Sequence, residues 1–323
     1  MSCVNLKFLE KKGRYMDKIS VIVPCFNEED VVQLFHETIT KVLDAMPVDY
    51  ELLFINDGSK DHTEDILKLL SMKDAHCYYF SFSRNFGKEA AMYAGLKNAT
   101  GNYVVIMDAD LQHPCELLVP MYEAVSQEGY DCCAGKRMDR KGENQLRNVL
   151  SHLFYKVINR FASMEMADGA GDFRMMNRKM VDAILELKEY NRYMKGIFSF
   201  VGFDTKWIEF HNVERAGGKT KWNFKSLFKY ALEGIFSFSN SLIFIASLIG
   251  IIFLGLSFAL MIYIIVQCVL YNGIASWIII LTFLFMISGV QVLCISLVGQ
   301  YCAKDYMETK QRPVYIIKET NRV

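Results

Sequence analysis

The run VVIMDADLQHP, Val104 to Pro114, carries an apolar stretch into two aspartates, Asp108 and Asp110, with Gln112 and His113 just beyond. Carboxylates at the end of a strand that wants to be buried either cap a turn or hold something positively charged. Alternate residues of an extended chain point to opposite faces, so both acids share a ligand only if the chain bends locally. Hard carboxylate oxygens suit Mg2+ or Mn2+, which keep waters and take phosphate oxygens from a substrate. Gln112 adds a carbonyl oxygen to that set, and a metal there would stabilise a departing diphosphate. A pair of aspartates in D-x-D spacing is weak by itself and gains weight at a strand end of an α/β domain. His113, followed by Pro114, reads as a turn residue rather than a ligand.

The elements that must position these acids are legible upstream. Residues 18–24, 49–57, 76–82, 102–108 and 131–135 read as strands, and amphipathic runs separate them. In the first such run Val32, Phe35, Ile39, Val42 and Leu43 fall on one helical face. Asn27 suits the N-cap of that helix, and Asp61 or Thr63 that of the next. Strand–helix alternation argues for a mostly parallel sheet covered on both faces. Ligands of such sheets bind outside the carboxyl ends of the strands. Three of those ends carry acids: Glu28, Asp57, and Asp108 with Asp110. Each alone is as easily a cap. Their convergence on one edge points to a site. Neither G-x-G-x-x-G nor a P-loop occurs, so nucleotide binding here rests on acids plus metal.

The chain has 323 residues, zero formal charge and 52% hydrophobic residues. Zero net charge gives no field that favours nucleic acid. The apolar excess is concentrated, since Gly234 to Ala303 contains no Asp, Glu, Lys, Arg or His. Within it, residues 241–267 and 277–299 each exceed the ~20 residues that span a bilayer. The alternative is a pair of buried core helices. Lys219, Lys221, Lys225 and Lys229 precede the first segment, and Lys304, Lys310 and Arg312 follow the second. The positive-inside rule then places both ends in the cytoplasm. Residues 221–238 interleave Trp222, Phe224 and Phe228 with lysines, as a helix lying in the membrane interface does. A helix docked on the soluble domain would look the same. The opening MSCVNLKFLEKKGRYMDK lacks the apolar core of a signal peptide, and Met16 is an alternative start. Nine cysteines without a C-x-x-C pair argue for buried thiols rather than zinc or disulfides.

Five ordered stretches carry a resemblance: ISVIVPCFNEED (19–30), FINDGSKDHT (54–63), SRNFGKEAA (83–91), MDADLQHP (107–114) and GAGDFRMMNR (169–178). They resemble the inverting family 2 glycosyltransferases of GT-A fold, and within them the polyprenyl-phosphate glycosyltransferases. The likeness extends through NVERAGGKTKWNF (212–224), EGIFSFS (233–239) and the tail 306–319, with SFSNSLIF lacking a proline that relatives often place before the first span.

That resemblance implies a Rossmann-like GT-A domain over 18–220, after an extension of 1–17. A juxtamembrane helix (221–240), a transmembrane hairpin (241–300) and a cytoplasmic tail (301–323) follow. It implies that Pro24, Asn27, Glu28, Ile55 and Ala109 line the nucleotide pocket and that Asp57 accepts from the base. Asp108, Asp110 and Gln112 would hold Mg2+ or Mn2+ against the donor diphosphate, with Arg215 and Lys221 closing over it. Arg137, Arg147, Ser151 and Arg174 would meet the lipid phosphate. Asp172 matches the position assigned as catalytic base; orienting the acceptor or Arg174, or a buried Asp–Arg contact, are the other readings. The implied activity moves one sugar, from UDP-glucose or UDP-N-acetylglucosamine ahead of GDP-mannose, to polyprenyl phosphate at a bacterial cytoplasmic membrane. Homo-oligomers are common among such relatives. The rival readings are an inactive nucleotide-sugar-binding scaffold, against which the intact aspartates argue, and a processive synthase, against which the missing Q-x-x-R-W motif argues.

Overall fold

The computed structural model describes residues 16–137, 170–190, 192–210 and 276–322. Strands β1 (Lys18–Cys25), β2 (Asp49–Asn56), β3 (Cys77–Phe82) and β4 (Tyr103–Ile106) alternate with helices α1 (Val32–Asp44), α2 (Thr63–Lys73) and α3 (Lys88–Asn98). After α4 (Leu118–Ser126) come β5 (Cys132–Arg137), β6 (Ala170–Asn177), α5 (Arg178–Glu186), α6 (Met194–Phe200) and β7 (Thr205–Phe210). A long helix α7 (Ser276–Thr309) and a short strand β8 (Ile317–Thr320) complete the described elements.

The eight strands form one sheet in the order β7-β5-β6-β4-β1-β2-β3-β8. The block β4-β1-β2-β3 is parallel, as strand–helix alternation requires. Three strands were not among those read from the alternation. β6 is inserted antiparallel between β4 and β5, β7 adds parallel to β5, and β8 closes the far edge antiparallel to β3. The insertion of β6 determines the site. Because it runs against β4, its first residues lie where β4 ends.

Side-chain alternation divides the core between the two faces of the sheet. Ile19, Val21, Val23, Leu52, Phe54 and Val105 pack toward α1, α2 and α4, where Val32, Phe35, Ile39 and Leu43 supply the expected face of α1. Ile22, Leu53, Ile55, Val104 and Ile106 pack toward α3, α5 and α6. Helix α3 meets them with Ala90, Ala91, Ala94 and Gly95, so it lies close to the sheet. A Cβ at Gly95 would stand 2.2 Å from Ile22 Cγ2, so only glycine permits this approach.

Two capping expectations are corrected. Helix α1 starts at Val32, beyond the reach of Asn27, which sits in a left-handed turn at φ 50°. Asn27 instead braces two loops, donating its N–H to Ser59 Oγ (2.9 Å) and accepting from Lys60 N (2.8 Å). At α2 neither candidate is the N-cap, which is His62; Asp61 Oδ1 still accepts from Thr63 N at the first helical residue (3.1 Å).

The segment 241–267 and the juxtamembrane stretch lie outside the described residues. Segment 277–299 falls within α7, a helix of 34 residues, many of whose side chains are also outside them. Among the described residues taken by themselves, no helix is long and apolar enough to cross a membrane. The chain after α7 returns to the sheet. Tyr315 stacks on Phe82 at 5.0 Å, and Arg322 Nη2 reaches Glu51 at 3.0 Å, a carboxylate buried on β2.

Candidate active site

The carboxyl ends of β1, β2 and β4 and the start of β6 meet on one edge of the sheet. The loops after β1 and β2 are tied together: Glu28 N donates to Thr63 Oγ1 (2.9 Å) and His62 N to Glu29 Oε2 (2.8 Å). Pro24 and Ile55 are register partners on β1 and β2, one step before the acid-bearing turns. Ile55 and Ala109 are buried.

Asp57, only 3% exposed, follows β2 and latches the loop after β3. Its Oδ1 accepts from Phe86 N (2.6 Å) and its Oδ2 from Gly87 N (2.9 Å). Burial pushes this carboxyl up to about 6, against the two backbone donors and the nearby Arg84. Gly58 makes the latch sterically possible, with φ 65° and a Cβ position 2.4 Å from the Arg84 carbonyl carbon. Gly87 adopts φ 100° and delivers the chain into α3, whose first residue is Lys88.

Beyond β4 the expected local bend is present. Leu111 takes φ 56°, a conformation that costs a non-glycine residue roughly 1–2 kcal/mol, and Asp110 Oδ1 accepts from Gln112 N at 3.1 Å. Asp110 therefore does cap a turn, and Asp108 does hold a positive charge. That charge is Lys88. Its ammonium lies 2.7 Å from Asp108 Oδ1, 3.0 Å from Asp108 Oδ2 and 2.7 Å from Asp172 Oδ2.

The meeting of Asp108 with Asp172 follows from register. Ile106 pairs with Arg174 across the antiparallel β4–β6 ladder, so two residues further along, Asp108 comes opposite Asp172. Burial raises both carboxyls, and the ammonium of Lys88 outweighs it, so both are held below the usual carboxylate range. Asp172 Oδ1 is buried and makes no hydrogen bond among the described residues. A buried acceptor without a donor is costly unless a ligand supplies one.

The remaining expected residues divide. Arg174 is 4% exposed, its guanidinium 3.7 Å over the Phe198 ring and its Nη2 donating to Gly171 O (3.0 Å). It packs beneath the site rather than facing it. His113 is likewise buried, stacked on Phe173 at 4.8 Å behind Asp108. Arg137 closes β5, and its side chain lies outside the described residues, as do Arg147, Ser151, Arg215 and Lys221. The residue that motif reading did not single out is Lys88. The signal was present as FGK, a glycine that turns the chain followed by a basic residue at a helix start.

Among the described residues no three His, Cys, Asp or Glu side chains group to hold a metal ion by themselves. Mg2+ and Mn2+ do not require such a cage, because one or two carboxylates plus substrate phosphates and water suffice. The all-oxygen donor set of Asp108 and Asp110, and the unpartnered Asp172 oxygen beside it, fit a hard cation delivered with an anionic substrate.

A nucleotide-type α/β sheet with an acid cluster at its carboxyl edge, without a phosphate-cradling loop, is the frame of a GT-A-like glycosyltransferase. The glycosyl transferase family 2 profile matches residues 20–185, and the chain belongs to that family. It is 43% identical over 307 residues to a putative glycosyltransferase, CsbB, of Bacillus subtilis, covering 94% of this chain and 92% of that one. It is 38% identical over 306 residues to the SfII prophage-derived bactoprenol glucosyl transferase of Shigella flexneri, covering 94% and 99%. Among solved structures, glucosyl-3-phosphoglycerate synthase of Mycobacterium tuberculosis overlaps 68% of this chain and 77% of its own, at 19% identity and a TM-score of 0.45.

Proposed function

We propose that this enzyme transfers a single sugar, with inversion, from a nucleotide diphosphate donor to polyprenyl phosphate at the cytoplasmic face of a bacterial membrane. The observation that carries the reading is the meeting of Asp108, Lys88 and Asp172 at the carboxyl edge of the sheet. The bactoprenol glucosyl transferases among the relatives support the acceptor; the charge-free stretch from Gly234 to Ala303 supports a membrane hairpin, and the lysines and arginine that flank it support both ends in the cytoplasm. UDP-glucose or UDP-N-acetylglucosamine is the favoured donor.

In this reading the nucleoside occupies the pocket bounded by Pro24, Asn27, Glu28, Ile55, Asp57 and Ala109. Asp108, Asp110 and Gln112 would hold Mg2+ or Mn2+, which would supply positive charge to offset that of the leaving diphosphate. Arg215 and Lys221 close over the donor, and Arg137, Arg147 and Ser151 bind the lipid phosphate, for which a guanidinium fork is well shaped. Arg174, packed on Phe198, supports Asp172 from below.

The acceptor phosphate is largely ionised near neutral pH, its second pKa being about 6. It therefore needs little deprotonation. Asp172, whose proton affinity Lys88 lowers, is a poor base in this arrangement. Its role is to orient the incoming acceptor through the buried Oδ1. An Asp110→Asn substitution separates enzyme from scaffold: the enzyme loses its cellular phenotype with protein level unchanged, and retention of the phenotype would sink the reading.

A further inference from the structure

We propose that Lys88 is an internal cation that shares Asp108 with the divalent metal, so that the metal binds well only when the donor arrives with it. The inference rests on the metal-dependent reading above. Lys88 Nζ engages both oxygens of Asp108, at 2.7 and 3.0 Å, and one oxygen of Asp172, at 2.7 Å. A metal that takes Asp108 must displace the ammonium from at least one of those oxygens. Two like charges cannot share one carboxylate at such distances without cost, which even at an effective dielectric near 20 is about 4 kcal/mol for unit charges ~4 Å apart.

The ammonium is not a loose side chain that happened to fold inward. It is the first residue of α3, and α3 is held against the sheet by Ala91, Ala94 and Gly95. Its preceding residue is gripped by Asp57 through Gly87 N, and Glu89 Oε2 accepts from Met194 N at 2.8 Å. So Lys88 is delivered to the acids by two flanking, partly buried hydrogen bonds. When it yields Asp108 it keeps Asp172, at the other end of its reach. The donor diphosphate then supplies the negative charge that lets a second cation enter. Metal and donor become positively coupled, and linkage makes the coupling reciprocal. The ammonium also offsets one of the two carboxylate charges in the absence of substrate, which limits futile metal loading.

Lys88 is a positioning residue in this account, and its test reads metal binding rather than turnover alone. Mn2+ binding to the purified full chain is followed by the loss of free-ion electron paramagnetic resonance signal, with and without UDP. Lys88→Met and Lys88→Gln remove the charge through side chains of different shape, so a folding defect in one leaves the other decisive. Both variants are expected to bind Mn2+ without UDP at least about fivefold more tightly than the native chain, within the range that removal of one competing charge allows. The enhancement by UDP shrinks by the same factor, while kcat falls at least about tenfold as Asp172 loses its partner. Lys88→Arg, which keeps the charge, stays within about twofold of native Mn2+ affinity. Variants that bind Mn2+ equally or more weakly would overturn this inference alone. A native chain that binds no Mn2+ even with UDP would overturn the metal-dependent reading as well.

Discussion

Asp108 leaves β4 directly opposite the point where Asp172 enters β6, and one ammonium spans the pair. The juxtaposition is a product of strand direction. Had β6 run parallel to β4, Asp172 would have been at the far edge of the sheet.

Replacing Asp172 by Asn keeps the shape and removes the charge that faces Lys88. Turnover is expected to fall by roughly 10²–10³, within the range for loss of one acid–base or orienting group. UDP affinity should change less than about threefold, because Asp172 is not among the groups assigned to the nucleoside. Calorimetric UDP binding together with initial rates separates the two. A loss of UDP affinity in step with the loss of rate would place Asp172 in the donor pocket instead.

Two glycines near the site differ in a way that stability measurements detect. Gly58 combines φ 65° with a Cβ position 2.4 Å from backbone, whereas Gly87 has φ 100° and open space within 4 Å. Gly58→Ala adds overlap with a loop that cannot move freely, so its cost is roughly 3 kcal/mol or more. Gly87→Ala carries backbone strain alone, at φ 100° and ψ 157°, on the order of 1–3 kcal/mol. Urea denaturation should rank them in that order. Gly87→Ala should lose activity out of proportion to its stability loss, because it re-aims Lys88.

Much of this was readable before any fold was known. The parallel block β4-β1-β2-β3 and the buried face of α1 follow from hydrophobic period and residue type, and the bend after Asp108 meets the condition for Asp108 and Asp110 to share a ligand. β6 escaped because AGDFRMMN places charges among its apolar residues, and both charges are needed where the strand is buried. β8 escaped because IKET is four residues long and is a strand only because it meets the edge of β3. Lys88 sits in the FGK signal, but its meaning depends on strand order, which that signal alone does not supply. Asn27 misled because an asparagine before an amphipathic run suits a cap and a left-handed turn equally well, and here the turn won.

Asp57 and Glu51 give opposite pH dependences. The Asp57 carboxyl is raised to about 6 by burial. Between about pH 4 and 6 the folded chain therefore binds a proton that the unfolded chain has released, and stability falls as pH rises through that window. At about 1.4 kcal/mol per unit, the fall totals up to roughly 3 kcal/mol. Asp57→Asn should abolish this slope while weakening UDP binding. Glu51 is also penalised by burial, but Ser20, Thr100, Arg322 and Lys18 hold it below the usual range. Its contribution is present above the ordinary carboxylate pKa and is lost as pH falls through its lower folded value. Denaturation midpoints from about pH 4 to 7.5 for the native chain and Asp57→Asn test the sign; an unchanged slope would contradict the assignment.

The return of the chain to the sheet after α7 is expected to be structural. Arg322 Nη2 contacts the buried Glu51, its guanidinium lies 4.8 Å over Tyr78, and Asn321 Oδ1 accepts from Tyr79 N at 2.8 Å. Arg322→Met leaves Glu51 with Lys18, Ser20 and Thr100, so the cost is moderated to about 1–2 kcal/mol from the larger value for breaking a buried pair. Truncation after Arg312 removes β8 and should lower the melting temperature further, because it also uncovers Phe82 and the edge of β3. A truncated chain as stable as the native one would show that β8 merely rests on the surface.

The most direct measurement incubates the detergent-purified chain with undecaprenyl phosphate, Mg2+ or Mn2+, and one radiolabelled donor at a time: UDP-glucose, UDP-N-acetylglucosamine, UDP-galactose or GDP-mannose. The label is followed into the organic phase with and without EDTA. The expected result is transfer from one UDP-sugar, abolished by EDTA and restored by added metal. Folded protein that binds UDP yet transfers no label from any donor to the lipid would contradict the proposed reaction.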